Sequence, residues 1–174
     1  MTSAVIALGS NLGDREANLR SEVSAIDAIV GVVVTGASGI VESSALKPHG
    51  VDAAAPQYLN AVVLAETALT ALGLLDELNR IESDHGRVRA ERWGDRTLDL
   101  DLLLFGDEIA RTDRLTLPHP RAAERSFVIV PWLQADPEAV LPGYGRIDGL
   151  ESAASDDLWE FPASPLLVTA AGAR

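Results

Sequence analysis

The order in which strand-like and helix-like apolar segments follow one another constrains the fold of this chain more than any other feature. Apolar runs with the length and composition of strands lie at 3–9, 32–45, 58–67 and 98–105. Apolar residues recur at helical spacing over 14–30, where Asn11 or Asp14 could cap a helix. A second helix is predicted after its cap, Thr70, with an apolar face formed by Leu74, Leu75, Leu78 and Ile81. The segments therefore predict the order β-α-β-β-α-β.

This order is typical of an α+β fold, the ferredoxin-like βαββαβ sandwich, in which helices cover one face of an antiparallel sheet. Additional C-terminal elements are expected, including a helix around 127–135. The segment 46–57 contains two prolines, one glycine and no apolar periodicity, which predicts a loop. Residues 151–174 mix small residues, prolines and acids, so we expect a partly ordered C-terminal extension to a single domain at 1–150.

The composition is that of a folded, globular chain. Of its 174 residues, 47% are apolar and 23% are charged, and this length can bury a substantial core. Because cysteine is absent, disulfides, zinc–thiolate sites and thiol catalysis are excluded. The first residues lack the basic region of a signal peptide, and no apolar run approaches membrane-spanning length. We therefore expect a cytoplasmic protein.

The charge is spread unevenly along the chain. The 26 acidic and 14 basic residues give a net charge of −12, which argues against nucleic acids and anionic membranes as partners. Nine of the thirteen arginines nevertheless lie between Arg80 and Arg125, together with ten acids, so that this stretch carries −1 and the remainder −11. Arginines concentrated in this way either form ion pairs on a solvated surface or line a pocket for a polyanion.

Asp99 and Asp101 form the clearest candidate metal site. They alternate with leucines in LDLDLLLF, and side chains two positions apart in a strand point to the same face. The pattern therefore places the leucines towards the core and the carboxylates side by side on the other face. Two interpretations remain open: a solvated edge of an amphipathic strand, or two oxygen ligands for Mg²⁺ that phosphate oxygens would complete.

An arginine-rich segment runs directly into this carboxylate pair. The segment GRVRAERWGDR contains Arg87, Arg89, Arg92, Trp93 and Arg96. Guanidinium groups match phosphate oxygens and keep their charge at neutral pH, although these could instead pair with Glu91 and Asp95. The tryptophan could stack on a base or pin the segment to the body of the protein. Arginines followed by two carboxylates are what metal-assisted phosphoryl transfer requires, and no Walker or kinase-type glycine loop is present.

Four segments, in this order, resemble the motifs of the 6-hydroxymethyl-7,8-dihydropterin pyrophosphokinase family of folate biosynthesis. They are GSNLGDR near the start, YLNA at 58–61, GRVRAERWGDRTLDLDLLLFG at 86–106 and LTLPHP at 115–120. The resemblance extends from about residue 4 to about residue 140. It implies a ferredoxin-like fold and an enzyme that transfers the terminal pyrophosphate of ATP to the hydroxymethyl group of a reduced pterin, releasing AMP.

The resemblance also implies which residues would meet ATP. Asp99 and Asp101 would hold two Mg²⁺ ions against the triphosphate. The implied catalytic residues are Arg87, Arg92, Trp93 and Arg96. Of these, Arg87 and Arg96 would contact the transferred phosphates. The other residues implied in ATP binding are Asn79, Glu82, Arg89, Leu102, Arg114, Thr116, His119 and Arg125.

On the pterin side, the resemblance implies a second group of residues. Asn60 would read the edge of the ring, Tyr58 would lie beside it, and Phe127 would stack on the ring face. Gly9 and Leu46 complete the implied substrate-binding set. Each residue also has a structural interpretation: Tyr58 and Phe127 could be core, Asn60 could cap the end of a strand, and His119 could be a turn residue between two prolines.

The chain departs from the family pattern in three places. A Thr-Pro-Pro-like turn usually precedes YLNA, whereas this chain has SSALKPHG, in which Leu46 fits the final apolar position. Asp95 stands where proline is usual and adds a negative charge beside the phosphate arginines. Asn79 stands where glutamine is common, while Glu82 matches the acid that follows. Because no departure removes a metal ligand or a principal arginine, we expect activity.

We therefore expect ATP and a reduced pterin as ligands of a monomer, or at most of a weak homo-oligomer. Two rival functions remain open. A non-catalytic ferredoxin-like module could bind a small ligand or a partner, but it would not need two same-face aspartates beside four arginines. A Mg²⁺-dependent phosphohydrolase would release phosphate without any pterin.

Overall fold

The computed structural model describes residues 1–47, 50–52, 57–85, 98–154 and 157–167. Its α-helices are α1 (Arg15–Asp27), α2 (Ala71–Asp84) and α3 (Ser126–Ala135). Its strands are β1 (Thr2–Ser10), β2 (Val32–Ala37), β3 (Ile40–Ser43), β4 (Ala45–Lys47), β5 (Gly50–Asp52), β6 (Tyr58–Thr67), β7 (Asp99–Phe105), β8 (Ala110–Arg111), β9 (Thr116–Leu117), β10 (Val140–Leu141), β11 (Gly145–Arg146) and β12 (Leu158–Phe161). Short 3-10 helices lie at Ala122–Glu124, Ile147–Gly149 and Glu151–Ala154.

A single antiparallel sheet forms the centre of the fold. Its strand order is β12-β3-β6-β1-β7, and β2 also pairs with β6. The apolar run predicted as one strand at 32–45 is therefore two strands. The register between β2 and β6 shifts between Val34 and Gly36, and the Ser38 hydroxyl then accepts a 2.9 Å hydrogen bond from the backbone N–H of Val62. This side-chain bond replaces a ladder bond where the chain bends from β2 into β3.

The two faces of the sheet are covered by different helices. α1 and α2 pack on one face through Leu19, Val23, Ile26, Leu74, Leu78 and Ile81. α3 packs on the opposite face through Val128, Ile129 and Trp132, against Val5, Ala7, Val62 and Leu103. The prediction of helices on one face thus holds for α1 and α2 but not for α3. The physical reason is that the strand residues beneath α3 are themselves apolar and need cover.

The ends of the first two helices are fixed by side chains that the sequence offers for this purpose. Asp14, rather than Asn11, caps α1: its carboxylate accepts a 3.0 Å bond from the N–H of Ala17. Thr70 caps α2 as predicted, through a 3.1 Å bond from the N–H of Gly73. Each cap satisfies a backbone N–H in the first turn of its helix and so stabilises the residue at which the helix begins.

The segment predicted as a loop at 46–57 contains a short hairpin instead. β4 and β5 pair from Ala45↔Asp52 to Lys47↔Gly50. Gly50 has a φ of +105°, a conformation that favours glycine and permits the tight reversal. The hairpin directly follows β3, in the segment where the sequence departs from the family pattern.

The C-terminal part of the chain returns to the sheet. β12 pairs with β3 from Leu158↔Ser43 to Phe161↔Ile40, a strand that the sequence analysis missed because it is four residues long and lies among prolines and acids. Beyond it, the Arg20 guanidinium of α1 donates to the carbonyl oxygens of Ser164 (2.7 Å) and Pro165 (3.1 Å). None of the helices in the described part of the chain has the length and apolar character that a membrane crossing requires.

Candidate active site

Three residues of the sheet lie side by side on neighbouring strands and define the candidate site. Gly9 of β1 is the register partner of both Asn60 on β6 and Asp99 on β7. Residues two positions away in a strand share a face, so Tyr58 and Asp101 lie on the face of this row. α3 covers the next part of the same face, where the strand residues become apolar. Among the described residues, the polar end of the face lies beyond the apolar cluster beneath α3, and we take it as the candidate ligand site.

The carboxylates of β7 lie as the alternating sequence predicts. Leu98, Leu100 and Leu102 are buried towards α1 and α2, whereas Asp99 and Asp101 are only partly buried on the other face. Asp101 is not simply solvated. Its Oδ2 lies 3.4 Å from the Nη1 of Arg125 and 4.0 Å from the Nε2 of His119. The structure thus places a carboxylate, a guanidinium and an imidazole together, from two motifs that are separated in sequence.

His119 is held by its backbone and one ring nitrogen. Its N–H donates to the carbonyl of Leu103 on β7 (2.9 Å), and its Nδ1 accepts from the N–H of Arg121 (3.2 Å). Because Nδ1 accepts, the neutral ring carries its proton on Nε2, the nitrogen nearer Asp101. Burial first, and then the neighbouring Arg125, lowers the pKa of His119 to about 4. At neutral pH the residue is therefore an uncharged hydrogen-bond donor.

Arg125 lies at the N-terminus of α3, and one of its hydrogen-bond donors is unpaired among the described residues. Its Cζ lies 5.6 Å from the centroid of the Phe127 ring, a cation–π distance. Its Nε is buried and has no hydrogen-bond partner among the residues that the structure describes. Since buried donors are normally satisfied, this N–H needs a partner that the described residues do not supply.

Three of the residues that the resemblance implies on the pterin side have described side chains. Asn60 is the third residue of β6 and does not cap the strand, because its side chain lies beside Gly9 in the middle of the row. Tyr58 is half-buried at the start of the same strand. Phe127 is half-buried and packs partly against the cluster beneath α3, so it has a core role as well as a place beside Arg125.

Other predicted residues lie away from this cluster. The Arg114 guanidinium forms an ion pair with Asp76 of α2, and Thr116 is exposed in β9. The Leu102 side chain is buried in the core, so that only its backbone could meet ATP. Asn79 and Glu82 both belong to α2. The buried Glu82 carboxylate accepts a 2.8 Å bond from the N–H of Leu100 and so holds β7 from the helix side of the sheet.

Several predicted residues lie outside the described residues. They are Arg87, Arg89, Arg92, Trp93 and Arg96, and the departure at Asp95 lies there too. The backbone of Leu46 belongs to β4, but its side chain is not described. The roles that the resemblance implies for these residues stay predictions.

Two further polar residues, which no sequence motif singles out, have contacts or electrostatic effects on residues of the row. Ser43 of β3 forms a buried hydrogen bond with Asn60, and only the strand register could have shown that contact. Glu22 of α1 is 0% exposed, and its carboxyl oxygens have no hydrogen-bond partner among the described residues. Burial first, and then Asp99 and Glu82, raises the pKa of Glu22 well above its ordinary value. The sequence indicates the burial of Glu22 through its helical spacing between Leu19 and Ile26 on the apolar face of α1.

The donor set around Asp99 and Asp101 fits a magnesium ion shared with a substrate. Among the described residues, no group of three or more His, Asp or Glu side chains could hold a metal alone. Mg²⁺ is commonly bound through one or two carboxylates together with phosphate oxygens and water. Two partly exposed carboxylates on one face match that pattern better than a closed structural metal site.

Comparison with known proteins identifies a family that this chain matches over most of its length. Residues 5–137 match the family described as 7,8-dihydro-6-hydroxymethylpterin-pyrophosphokinase (HPPK). The 2-amino-4-hydroxy-6-hydroxymethyldihydropteridine pyrophosphokinase of Haemophilus influenzae is 46% identical over 142 residues, 82% of this chain and 86% of the relative. The enzyme of the same name from Bacillus subtilis is 46% identical over 128 residues, 74% of each chain.

Solved structures agree at the level of the fold. A crystal structure of HPPK-DHPS in complex with substrates has a TM-score of 0.64 at 12% identity and covers 87% of this chain. The wild-type Plasmodium falciparum HPPK-DHPS with pteroate has a TM-score of 0.63 at 14% identity and covers 84%. This chain spans only 43% and 41% of those longer chains. On the match over 5–137 and its relatives, the chain belongs to the 7,8-dihydro-6-hydroxymethylpterin-pyrophosphokinase family.

Proposed function

We propose that this protein transfers the terminal pyrophosphate of ATP to the hydroxymethyl group of 6-hydroxymethyl-7,8-dihydropterin and releases AMP, a step of folate biosynthesis. The observation that carries the proposal is the row Asn60–Gly9–Asp99. It places an amide suited to a heterocycle and a carboxylate suited to a metal on one face of one sheet. A phosphate-binding cluster, Asp101 with His119 and Arg125, lies beside them.

The proposed reaction is an in-line displacement. The hydroxymethyl oxygen of the pterin attacks the β-phosphorus of ATP. The bond between that phosphorus and the oxygen that bridges it to the α-phosphorus breaks, and AMP leaves with this oxygen. The neutral Nε2–H of His119 and the guanidinium of Arg125 would bind phosphate oxygens. Positioning and charge neutralisation would supply most of the acceleration, as in other phosphoryl transfers. We assign no general base.

Asp99 and Asp101 would hold the two Mg²⁺ ions that the resemblance implies. When bound, Mg²⁺ would neutralise charge on the triphosphate. The chain's own contribution is to keep the two carboxylates on one rigid strand, with Leu100 between them anchored by Glu82.

We also propose that the core has the ferredoxin-like βαββαβ arrangement. The element order β1, α1, β2 with β3, β6, α2, β7 supports it. The antiparallel order β3-β6-β1-β7 supports it as well, because the first and last strands of the core then lie side by side.

The test of the function is AMP release from ATP in the presence of Mg²⁺ and 6-hydroxymethyl-7,8-dihydropterin. Asp99→Ala and Asp101→Ala should each abolish metal-dependent turnover. Asp107→Ala, in the exposed turn after β7, is the matched control and should leave the rate unchanged. If both site variants keep near-normal rates, the metal site is wrongly assigned.

The same assay separates the rival functions. A phosphohydrolase would release inorganic phosphate from ATP without any pterin. A non-catalytic module would bind ligand but release neither AMP nor phosphate.

Arg96→Ala should lower the rate by roughly tenfold to a thousandfold, by analogy with loss of one transition-state charge donor. A change confined to ATP affinity would make Arg96 a uniform binder instead.

A further inference from the structure

A buried serine forms a hydrogen bond with the amide of Asn60 in the candidate site. Ser43 and Asn60 are each 5% exposed, and the Nδ2 of Asn60 donates a 2.8 Å hydrogen bond to the Oγ of Ser43. Ser43 is the register partner of Tyr58, so Ser43 and Asn60 are a diagonal pair on one face of β3 and β6. The bond therefore joins two side chains that the sheet already holds close together.

This bond determines which end of the amide faces the open part of the site. With Nδ2 bonded to Ser43 on the β3 side, the Oδ1 atom lies on the β1 side, 3.4 Å from where a side chain at Gly9 would place its Cβ. No described residue donates to this oxygen, and it is not one of the buried unpaired atoms. The absence of a side chain at Gly9 leaves the oxygen uncovered, towards the strand that carries Asp99.

The orientation matters because the two ends of an amide have opposite chemistry. A side-chain amide can turn by half a rotation and exchange its acceptor for its donor with little change of shape. The pyrimidine edge of a pterin presents N–H groups at its amino substituent and its neighbouring ring nitrogen. An acceptor at Asn60 pairs with such an N–H, whereas an inverted amide would place donor against donor.

We propose that Ser43 is a positioning residue that fixes the Asn60 amide with its oxygen towards the substrate, and so sets the selectivity for a ring edge that donates hydrogen bonds. This inference rests on the proposed function, because it takes the pterin as the ligand. Ser43 itself acts only through Asn60. Removing its hydroxyl should therefore weaken pterin binding without disturbing the ATP side.

The experiment compares Ser43→Ala with Ser38→Ala. Ser38 is a matched control, since it is a buried serine between β2 and β3 whose hydroxyl bonds to the backbone of Val62 and Gly39 and not to Asn60. For Ser43→Ala, the KM for the pterin should rise by about three- to tenfold, the size of one hydrogen bond. The KM for ATP should stay within about twofold of wild type, and Ser38→Ala should change neither KM selectively.

A second background distinguishes orientation from packing. In Asn60→Asp, both carboxylate oxygens accept hydrogen bonds, so the group no longer needs to be oriented. Adding Ser43→Ala to this background should then raise the pterin KM by less than about twofold. Ser43→Cys is close in size and a weaker hydrogen-bonding group, and it should give a smaller rise in pterin KM if the alanine variant does not fold.

Three results would overturn the inference: an unchanged pterin KM in Ser43→Ala, an equal rise in both KM values, or the same loss in the Asn60→Asp background. Equilibrium binding of the pterin to the wild-type protein keeps the two proposals apart. A wild type that neither binds pterin nor releases AMP refutes the proposed function. A wild type that does both, with Ser43→Ala unchanged, refutes only the role of Ser43.

Discussion

At the scale of single residues, the site depends on a histidine that stays uncharged beside a carboxylate. Asp99 raises the pKa of His119, but burial and the charge of Arg125 outweigh it. The backbone N–H of Arg121 also fixes the ring so that Nε2 is the protonated nitrogen. His119 can therefore donate to a phosphate oxygen at neutral pH without adding a positive charge that Asp101 would pair with.

Replacing Arg125 should make His119 easier to protonate. In the metal-free protein without ATP, the His119 ring should titrate near pH 4, well below the ordinary value of 6.5. Arg125→Gln removes a neighbouring like charge, so the pKa of His119 should rise, although burial, the larger cause, remains. Ring-proton NMR titration measures this shift. Arg146→Gln, at an exposed arginine that pairs with Asp148, is the control, and a pKa that falls in Arg125→Gln would contradict the interpretation.

Glu22 should make the protein less stable as the pH rises. Its pKa in the folded state is raised by burial and by the carboxylates of Asp99 and Glu82, above the value of about 4.3 expected in the unfolded chain. The folded state then holds the proton more tightly than the unfolded state does. The contribution of Glu22 to the free energy of unfolding is thus fully present below about pH 4 and declines as the pH approaches its folded-state pKa.

Glu22→Leu should remove this penalty. Leucine is similar in size, favours helices and needs no hydrogen bond in the apolar face of α1, so the free energy of unfolding at neutral pH should increase by roughly 1–3 kcal/mol. Urea unfolding at pH 5 and pH 8 measures the change, which should be larger at pH 8. Glu22→Gln serves as the control because it removes the charge but keeps the polarity. A leucine variant less stable than wild type at pH 8 would refute the argument.

At the scale of secondary-structure elements, the start of α1 depends on one carboxylate. Asp14→Ala removes the acceptor for the N–H of Ala17 and should lower the free energy of unfolding by about 1 kcal/mol. Asp14→Asn keeps an oxygen acceptor and should lose much less, so the pair separates the hydrogen bond from the helix-dipole contribution. Denaturant unfolding of the three proteins measures both. Equal losses in the two variants would assign the effect to charge alone.

The elements that the sequence predicted correctly are those whose pattern is decided locally. The helix after Thr70 and the strand with Asp99 carry both a periodicity and an end signal, and both were predicted nearly to the residue. β5 and β12 were missed because each is too short to show a periodicity, and β12 in addition pairs with β3, more than 100 residues earlier in the chain. Single-sequence periodicity contains no information about such partners.

At the scale of the whole molecule, the net charge of −12 should lower the stability of the folded state. Most acids lie outside the arginine-rich stretch, so the compact state brings like charges together. Raising NaCl from about 20 to about 200 mM screens this repulsion and should increase Tm by a few degrees. Sucrose at equal osmolality is the control for general solvent effects. A decrease of Tm would mean that the surface ion pairs outweigh the repulsion.

Only part of the candidate site could be predicted from sequence, because several of its contacts join segments that are distant in the chain. Asp99 and Asp101 were placed correctly because both lie in one strand with an alternating pattern. The contacts of Asp101 with Arg125 and His119 depend on a turn that bonds back to β7, and the contact of Ser43 with Asn60 depends on strand register. These contacts are decided by how distant segments meet, which the resemblance to a family could suggest and the periodicity could not.

The row Asn60–Gly9–Asp99 has a consequence for the size of the substrate. Asn60 and Asp99 are two strand spacings apart, and hydrogen-bonded strands lie about 4.8 Å from each other, so roughly 10 Å of backbone separates the two positions. The backbone hydrogen bonds of the sheet keep this separation constant. A ligand held at Asn60 can therefore place a reactive group near Asp99 only if the distance between its recognised edge and that group matches this fixed length.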